Sequence, residues 1–274
     1  MECAILFLKG IVVGVANVIP GVSGGTMAVV CNVYDRIIAL ISPNIKKIIA
    51  AWKFWLPLAL GMVFGIVAFS AVVTMLLERF PVPTVYFFEG LVAGSIPLIV
   101  RKVRGARARR TAKIPFEAAS FALGLLLMVV MLVCRPAKEG AVALTELTPG
   151  VAALVFVAGA AAAVAMIIPG VSGSFLLLAL GMYGTVLAAV SALNVAVLAP
   201  FALGVLVGLF AGAALVRLLM EKIPAYAYCA ILGLVVGSLA TIFPGVPGGA
   251  LIAVSLAAFA LGFFAAYVSS RGES

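Results

Sequence analysis

The pentapeptide Pro-Gly-Val-Ser-Gly occurs twice in this chain, at 20–24 and at 169–173, each time inside a long apolar stretch. The two copies anchor a duplication. Residues 10–42 match 159–191 at a constant offset of 149, and Gly10, Val15, Ala16, Ile19, Tyr34, Ala39 and Ser42 recur outside the pentapeptide. A second block, 57–96, matches 200–239 at an offset of 143. Here Pro57, Gly61, Gly65, Glu78, Pro81, Gly90, Gly94 and Ser95 meet Pro200, Gly204, Gly208, Glu221, Pro224, Gly233, Gly237 and Ser238. The offset changes in the loop near 44–55. Shared apolarity alone does not return glycines, prolines and a glutamate in register, so the chain reads as two copies of one unit.

The solvent of that unit is lipid. Hydrophobic residues make up 66% of the 274 and charged ones 10%, against about a quarter charged in an ordinary soluble domain. Each unit shows an apolar stretch interrupted by the pentapeptide, followed by spans long enough for a hydrocarbon core of about 30 Å. The fold class is therefore an all-α polytopic membrane protein, an inverted repeat in which each unit is a re-entrant helical hairpin plus three transmembrane helices. The first repeat covers 1–134, with its hairpin at 4–42 and spans at 56–77, 84–100 and 116–134. The second covers 150–268, with its hairpin at 151–192 and spans at 198–220, 225–243 and 250–268. Each hairpin arm reaches roughly 18–21 Å at 1.5 Å per residue, which favours entry and exit on one side. The arms are long for half-helices, and two complete spans joined by a tight turn is the alternative. The recurrent GxxxG spacings suit close helix contacts.

Charge supports the inversion. Seven of the 18 basic residues fall in the loop 101–113, while its counterpart 244–249 has none. Lys46, Lys47, Lys53, Arg217, Lys222 and Arg271 lie on the same predicted side, and Arg79, Arg135 and Lys138 on the other. Under the positive-inside rule both termini are cytoplasmic. A basic block between apolar spans sets orientation and can hold anionic headgroups; it is no sign of nucleic acid. Glu2 stands where a signal peptide has a basic region, so a cleaved leader is not expected.

Several chemistries drop out. There is no histidine, which removes Ser-His catalysis and His-metal sites together. Cys3, Cys31, Cys134 and Cys229 form no CxxC pair. No enzyme activity, catalytic residue, metal or cofactor is expected.

The breaks carry the functional reading. Proline lacks an amide donor and glycine permits backbone closed to other residues. Irregular backbone in a membrane is tolerated only where protein or water satisfies it. Ser23 and Ser172 stand where an N-cap begins the returning arm, with Gly24, Gly25 and Gly173, Ser174 in its first turn. Free amides and the positive dipole end then point into the bilayer, an anion site without a buried arginine. Pro20, Gly21, Pro169 and Gly170 shape the breaks, and Asn17 and Thr26 flank the first. The plain alternative is a packing kink, which two identical copies make less economical. Arg36 and Arg217 are candidate phosphate partners or interfacial anchors. Glu89, inside a span and without an acidic counterpart, is a candidate coupling residue for a proton or sodium, or a rim residue bonded to a neighbour.

At 15–26 the chain reads Val-Ala-Asn-Val-Ile-Pro-Gly-Val-Ser-Gly-Gly-Thr, at 168–174 Ile-Pro-Gly-Val-Ser-Gly-Ser, followed by Leu-Gly-Met-Tyr-Gly at 180–184. These motifs resemble the PopT-type polyprenyl-phosphate transporters, long catalogued as a domain of unknown function, and the likeness runs over nearly the whole chain. Ser174, where the first motif has Gly25, is a mild departure. The resemblance implies paired re-entrant hairpins in a bacterial or archaeal plasma membrane, and return of undecaprenyl phosphate or a related polyprenyl phosphate to the cytoplasmic leaflet. The competing reading from the residues alone is a small-anion channel or ion-coupled anion transporter. Homo-oligomerisation is left open.

Overall fold

A computed structural model describes residues 2–18, 23–42, 44–109, 114–133, 148–249 and 251–269. Every regular element among them is a helix: α1 (Glu2–Val18), α2 (Gly24–Val30), α3 (Tyr34–Leu40), α4 (Ile45–Ala50), α5 (Trp52–Arg79), α6 (Pro81–Arg109), α7 (Ile114–Val133), α8 (Pro149–Ile167), α9 (Gly173–Ala179), α10 (Tyr183–Ser191), α11 (Val195–Lys222), α12 (Pro224–Ile242) and α13 (Leu251–Ser269). Seven of these (α5, α6, α7, α8, α11, α12 and α13) are long and apolar enough to cross a membrane. Their outward faces expose residues such as Val67, Leu123, Val133, Leu203 and Leu261, a surface only an apolar solvent tolerates.

Small residues set the pairing. Beside Gly61 and Gly65 of α5 lie the carbonyls of Phe7 and Ile11 on α1, so α1 and α5 run parallel. In the second half Gly204 and Gly208 of α11 meet Phe156 and Ala160 on α8 in the same sense. Gly90 and Gly94 of α6 face Phe259 and Phe263 on α13, and Gly233 and Gly237 of α12 face Phe121 and Met128 on α7. A methyl group at these glycines would strike partner backbone or side chain. Such close approach drives helix association where lipid supplies no hydrophobic force. The last helix of each half thus packs on the other half.

α6 and α12, counterparts in the duplication, meet at the centre and run antiparallel. Tyr86 near the start of α6 donates its hydroxyl to Gly245 beyond the end of α12, at 3.3 Å. Lys102 near the end of α6 lies 5.6 Å from the ring centre of Tyr228 near the start of α12. The charged residues collect accordingly. Arg36 rests over Phe54, Lys102 pairs with Asp35, Arg107 pairs with Glu117, and Arg217 bonds to α3. These contacts join the start of α5, the end of α6, the start of α7 and the end of α11 at one end of the molecule. Among the described residues Arg79 is the basic side chain at the opposite end; Arg135, Lys138 and Arg271 lie outside them.

Two local features differ from the sequence reading. The basic stretch expected as the loop 101–113 continues α6 to Arg109. Arginine, lysine and alanine are good helix formers, so the helix outlasts its apolar span. The returning arms are not single helices. Each breaks after two turns at a residue in the left-handed region, Asn32 (φ 53°) in the first and its counterpart Gly181 (φ 68°) in the second. Val33 N–H donates to Ala28 and Asn32 N–H to Val29, both at 2.9 Å; Met182 and Gly181 repeat the pattern onto Leu177 and Leu178. These are Schellman endings.

Candidate functional site

The two interrupted stretches meet. α8 ends at Ile167 beside Gly212, about 15 Å along α11 from Lys222. Ile11 of α1 lies beside Gly65, and α1 ends about 10 Å further on, still alongside α5. The ends of α1 and α8, the described residues that lead into the two breaks, therefore lie within the apolar stretch of the helices beside them. Pro20 and Gly21 lie outside the described residues; the first break is followed from Ser23 onward.

One bond ties the second break to the residues flanking the first. The backbone N–H of Gly170 donates to the hydroxyl of Thr26, in the first turn of α2, at 2.7 Å. Thr26 is 1% exposed. Gly170 has φ +88°, and a β-carbon there would stand 2.8 Å from the Leu234 carbonyl, so no other residue fits. Pro169 is fully buried beside it. Gly25 passes so close to the end of α8 that its β position is 3.2 Å from the Met166 carbonyl. The Tyr34 hydroxyl adds a third link, donating to the Ile167 carbonyl at 3.1 Å.

Ser23 and Ser172 are the N-cap residues of α2 and α9, as the spacing predicts, with extended backbone (ψ 128° and 125°). Neither hydroxyl caps its helix. Ser23 is buried, and its Oγ has no hydrogen-bond partner among the described residues. Ser172 instead shares a 2.9 Å hydrogen bond with Ser174, whose side chain is exposed. Asn17 donates to the Val13 carbonyl at 2.8 Å, and its amide fills the space beside Gly24, 2.6 Å from that residue's β position. Gly173 is held close to the Ala162 carbonyl. A buried hydroxyl with nothing to bond, next to small residues and a helix start, is a place where an anionic oxygen would gain a donor.

The two arginines sit elsewhere. Arg217 donates to the carbonyls of Ile38 and Ile41 at 3.4 and 3.1 Å, capping α3 where the helix dipole favours a cation. The guanidinium of Arg36 lies 4.2 Å above the ring centre of Phe54 and is exposed. Glu89 is 5% exposed. It lies one turn before Val92, which packs in the same buried cluster as Met27 of α2 and Val235 of α12, and no partner for its carboxylate occurs among the described residues.

Sequence reasoning passed over Tyr34, Asp35, Lys102 and Tyr228. Asp35 pairs with Lys102 and accepts from the Tyr228 hydroxyl at 3.0 Å, tying α3 to both central helices. Tyr34 carried a signal, since it recurs as Tyr183; the Asp35 cluster had none, because its members are far apart in the chain.

The fold and site define a polytopic helical membrane protein whose two interrupted stretches meet inside the apolar layer. The chain belongs to the VCA0040-like family, described as undecaprenyl phosphate translocase-like, which it matches over residues 13–260. It is 33% identical to a polyprenyl-phosphate transporter of Staphylococcus aureus (strain NCTC 8325 / PS 47), over 96% of this chain and 95% of that one. It is 29% identical to a polyprenyl-phosphate transporter of Vibrio cholerae serotype O1, over 87% of this chain and 77% of that one. No solved structure matches it.

Proposed function

We propose that this protein moves undecaprenyl phosphate, or a related polyprenyl phosphate, across the plasma membrane, with the headgroup engaged at the paired breaks. The observation that carries this reading is the hydrogen bond from Gly170 to Thr26, which brings the two breaks together within the apolar layer. Backbone amides and the hydroxyls of Ser23, Thr26, Ser172 and Ser174 then supply the donors. A phosphate held this way needs no buried cation, so it can be released again. The names of the two relatives support the lipid as cargo. In this reading the halves are inverted, which the antiparallel α6 and α12 support, and the basic end faces the cytoplasm. Glu89 couples the movement to a proton or sodium.

The test is reconstitution of the purified protein in liposomes, with leaflet exchange of a polyprenyl phosphate measured beside release of entrapped inorganic phosphate and chloride. Lipid exchange without anion leak supports the reading. Anion leak without lipid exchange replaces it with a small-anion pathway.

A further inference from the structure

The two hairpins are alike in sequence but not in surroundings. α2 is sealed among α1, α6 and α8, with Thr26, Met27, Ala28, Val29 and Val30 all buried. α9 and α10 pack chiefly on α8, on α11 and on each other, all in their own half. In α10 Leu187 and Val190 are exposed. The first returning arm occupies the centre of the molecule and the second lies at its flank.

The two residues of the bond that seats the first arm have counterparts in the other half. Tyr34 donates to Ile167, the last residue of α8. By the offset that relates the halves, Tyr34 corresponds to Tyr183 and Ile167 to Val18, the last residue of α1. Tyr183 is half-buried, and its hydroxyl makes no hydrogen bond among the described residues. The same correspondence maps the close approach of Gly25 to Met166 onto Ser174 and Asn17. Here the Ser174 hydroxyl is bonded to Ser172.

The first arm is also fastened by charge, whereas the positions that correspond to its fastenings in the other half carry no charged residue. Asp35 pairs with Lys102 and Tyr228, and Arg217 holds the end of α3. The corresponding positions are Gly184 for Asp35, Val85 for Tyr228 and Thr74 for Arg217.

We infer that the two returning arms take the central seat in turn, Tyr34 on the carbonyl of Ile167 in the state described and Tyr183 on the carbonyl of Val18 in the other. The inference rests on the transport reading above. When two halves are built alike and oppositely directed, exchanging their conformations produces a second state of nearly equal quality, open toward the other side. A hydrogen-bonded seat that is either filled or empty is the kind of two-state element such a switch needs. The Asp35 latch then sets the resting balance, and Tyr34 and Tyr183 position the arms without touching the lipid.

The test uses the full chain in nanodiscs with its native cysteines replaced and cysteines placed at Asn17 and Ser174. Seating of the second arm brings these positions within disulfide range, Cα atoms about 4.4–6.8 Å apart. Cross-link yield under mild oxidation should rise several-fold when Tyr34→Phe or Asp35→Asn is added, and fall several-fold with Tyr183→Phe. Should Tyr34→Phe fail to fold, Asp35→Asn reads the same balance. A yield that neither Tyr34→Phe nor Asp35→Asn raises overturns the inference, as does one that Tyr183→Phe leaves unchanged. Cross-linking is read without any polyprenyl phosphate. Lipid movement is read separately, on the protein without substitutions. A responsive cross-link beside an unsubstituted protein that moves no polyprenyl phosphate leaves the exchange of arms standing and removes the proposed cargo, and an unresponsive cross-link beside one that moves the lipid does the reverse.

Discussion

Thr26 and Gly170, 144 positions apart in the chain, are joined by a 2.7 Å hydrogen bond between the hydroxyl of one and the backbone N–H of the other. It ties the first turn of α2 to the second break, and both residues are buried. Thr26→Val keeps the shape and removes the acceptor, so the Gly170 amide is left buried and unpaired. The expected loss of stability is about 1–3 kcal/mol, seen as a lower thermal midpoint of the purified protein. Thr26→Ser should restore most of it. Equal midpoints for the Val and wild-type proteins would mean that this bond does not hold the breaks together.

The arginines separate by what they touch. Arg217 donates to two carbonyls at the end of α3, and a charged hydrogen bond contributes roughly 1.5–3 kcal/mol. Arg36 lies over an aromatic ring at an exposed position, worth about 0.5–1 kcal/mol. Arg217→Met should therefore destabilise the protein clearly more than Arg36→Met, while neither changes the affinity for a polyprenyl phosphate in the binding-competent fraction. A drop in affinity at unchanged stability would make the affected arginine a headgroup ligand.

How much of this was legible beforehand follows from the range of each interaction. The helical, membrane-spanning character and the duplication are written in apolar run lengths and in recurring glycines and prolines. The glycine ridges declare themselves because close packing demands small residues at regular spacing. The end of each short helix at Asn32 and Gly181 was missed, since an isolated asparagine or glycine in an apolar run does not announce a left-handed turn. The extension of α6 was missed because hydropathy marks where the membrane ends and not where the helix does. The residues that flank the breaks already set the two hairpins apart, Asn17 and Thr26 at the first against Met166 and Phe175 at the second, but they do not say which hairpin lies at the centre. Their unequal burial arises from contacts between distant segments, such as Tyr34 with Ile167 and Asp35 with Lys102, which no local pattern records.

Glu89 is buried on α6 with no partner among the described residues. A carboxylate in that position is expensive to keep charged, which makes it responsive to a proton or a sodium ion. Glu89→Gln removes the ionisable group at nearly constant shape. Transport should lose its dependence on pH or sodium, while the affinity for lipid stays largely intact. The measurement is leaflet exchange in liposomes across imposed pH and sodium gradients. An unaltered gradient dependence in the Gln protein would return Glu89 to a packing role.

The last prediction turns on an asymmetry between the two N-cap serines. The Oγ of Ser23 is buried and bonds to nothing among the described residues, whereas that of Ser172 is bonded to Ser174. Removing a buried polar atom that has no partner is neutral or favourable for folding; removing one from a pair forfeits its bond. Ser23→Ala should therefore leave the thermal midpoint unchanged or slightly raised, and Ser172→Ala should lower it a little. If both hydroxyls donate to the phosphate, each substitution also removes a bond to a charged ligand, worth roughly 1.5–3 kcal/mol, or about ten-fold to more than a hundred-fold in affinity. Ser23→Ala is the cleaner test, because its expected effects on stability and on binding have no common cause. Binding of a polyprenyl phosphate to the Ser23→Ala protein with wild-type affinity and normal yield would show that the headgroup does not reach the first break.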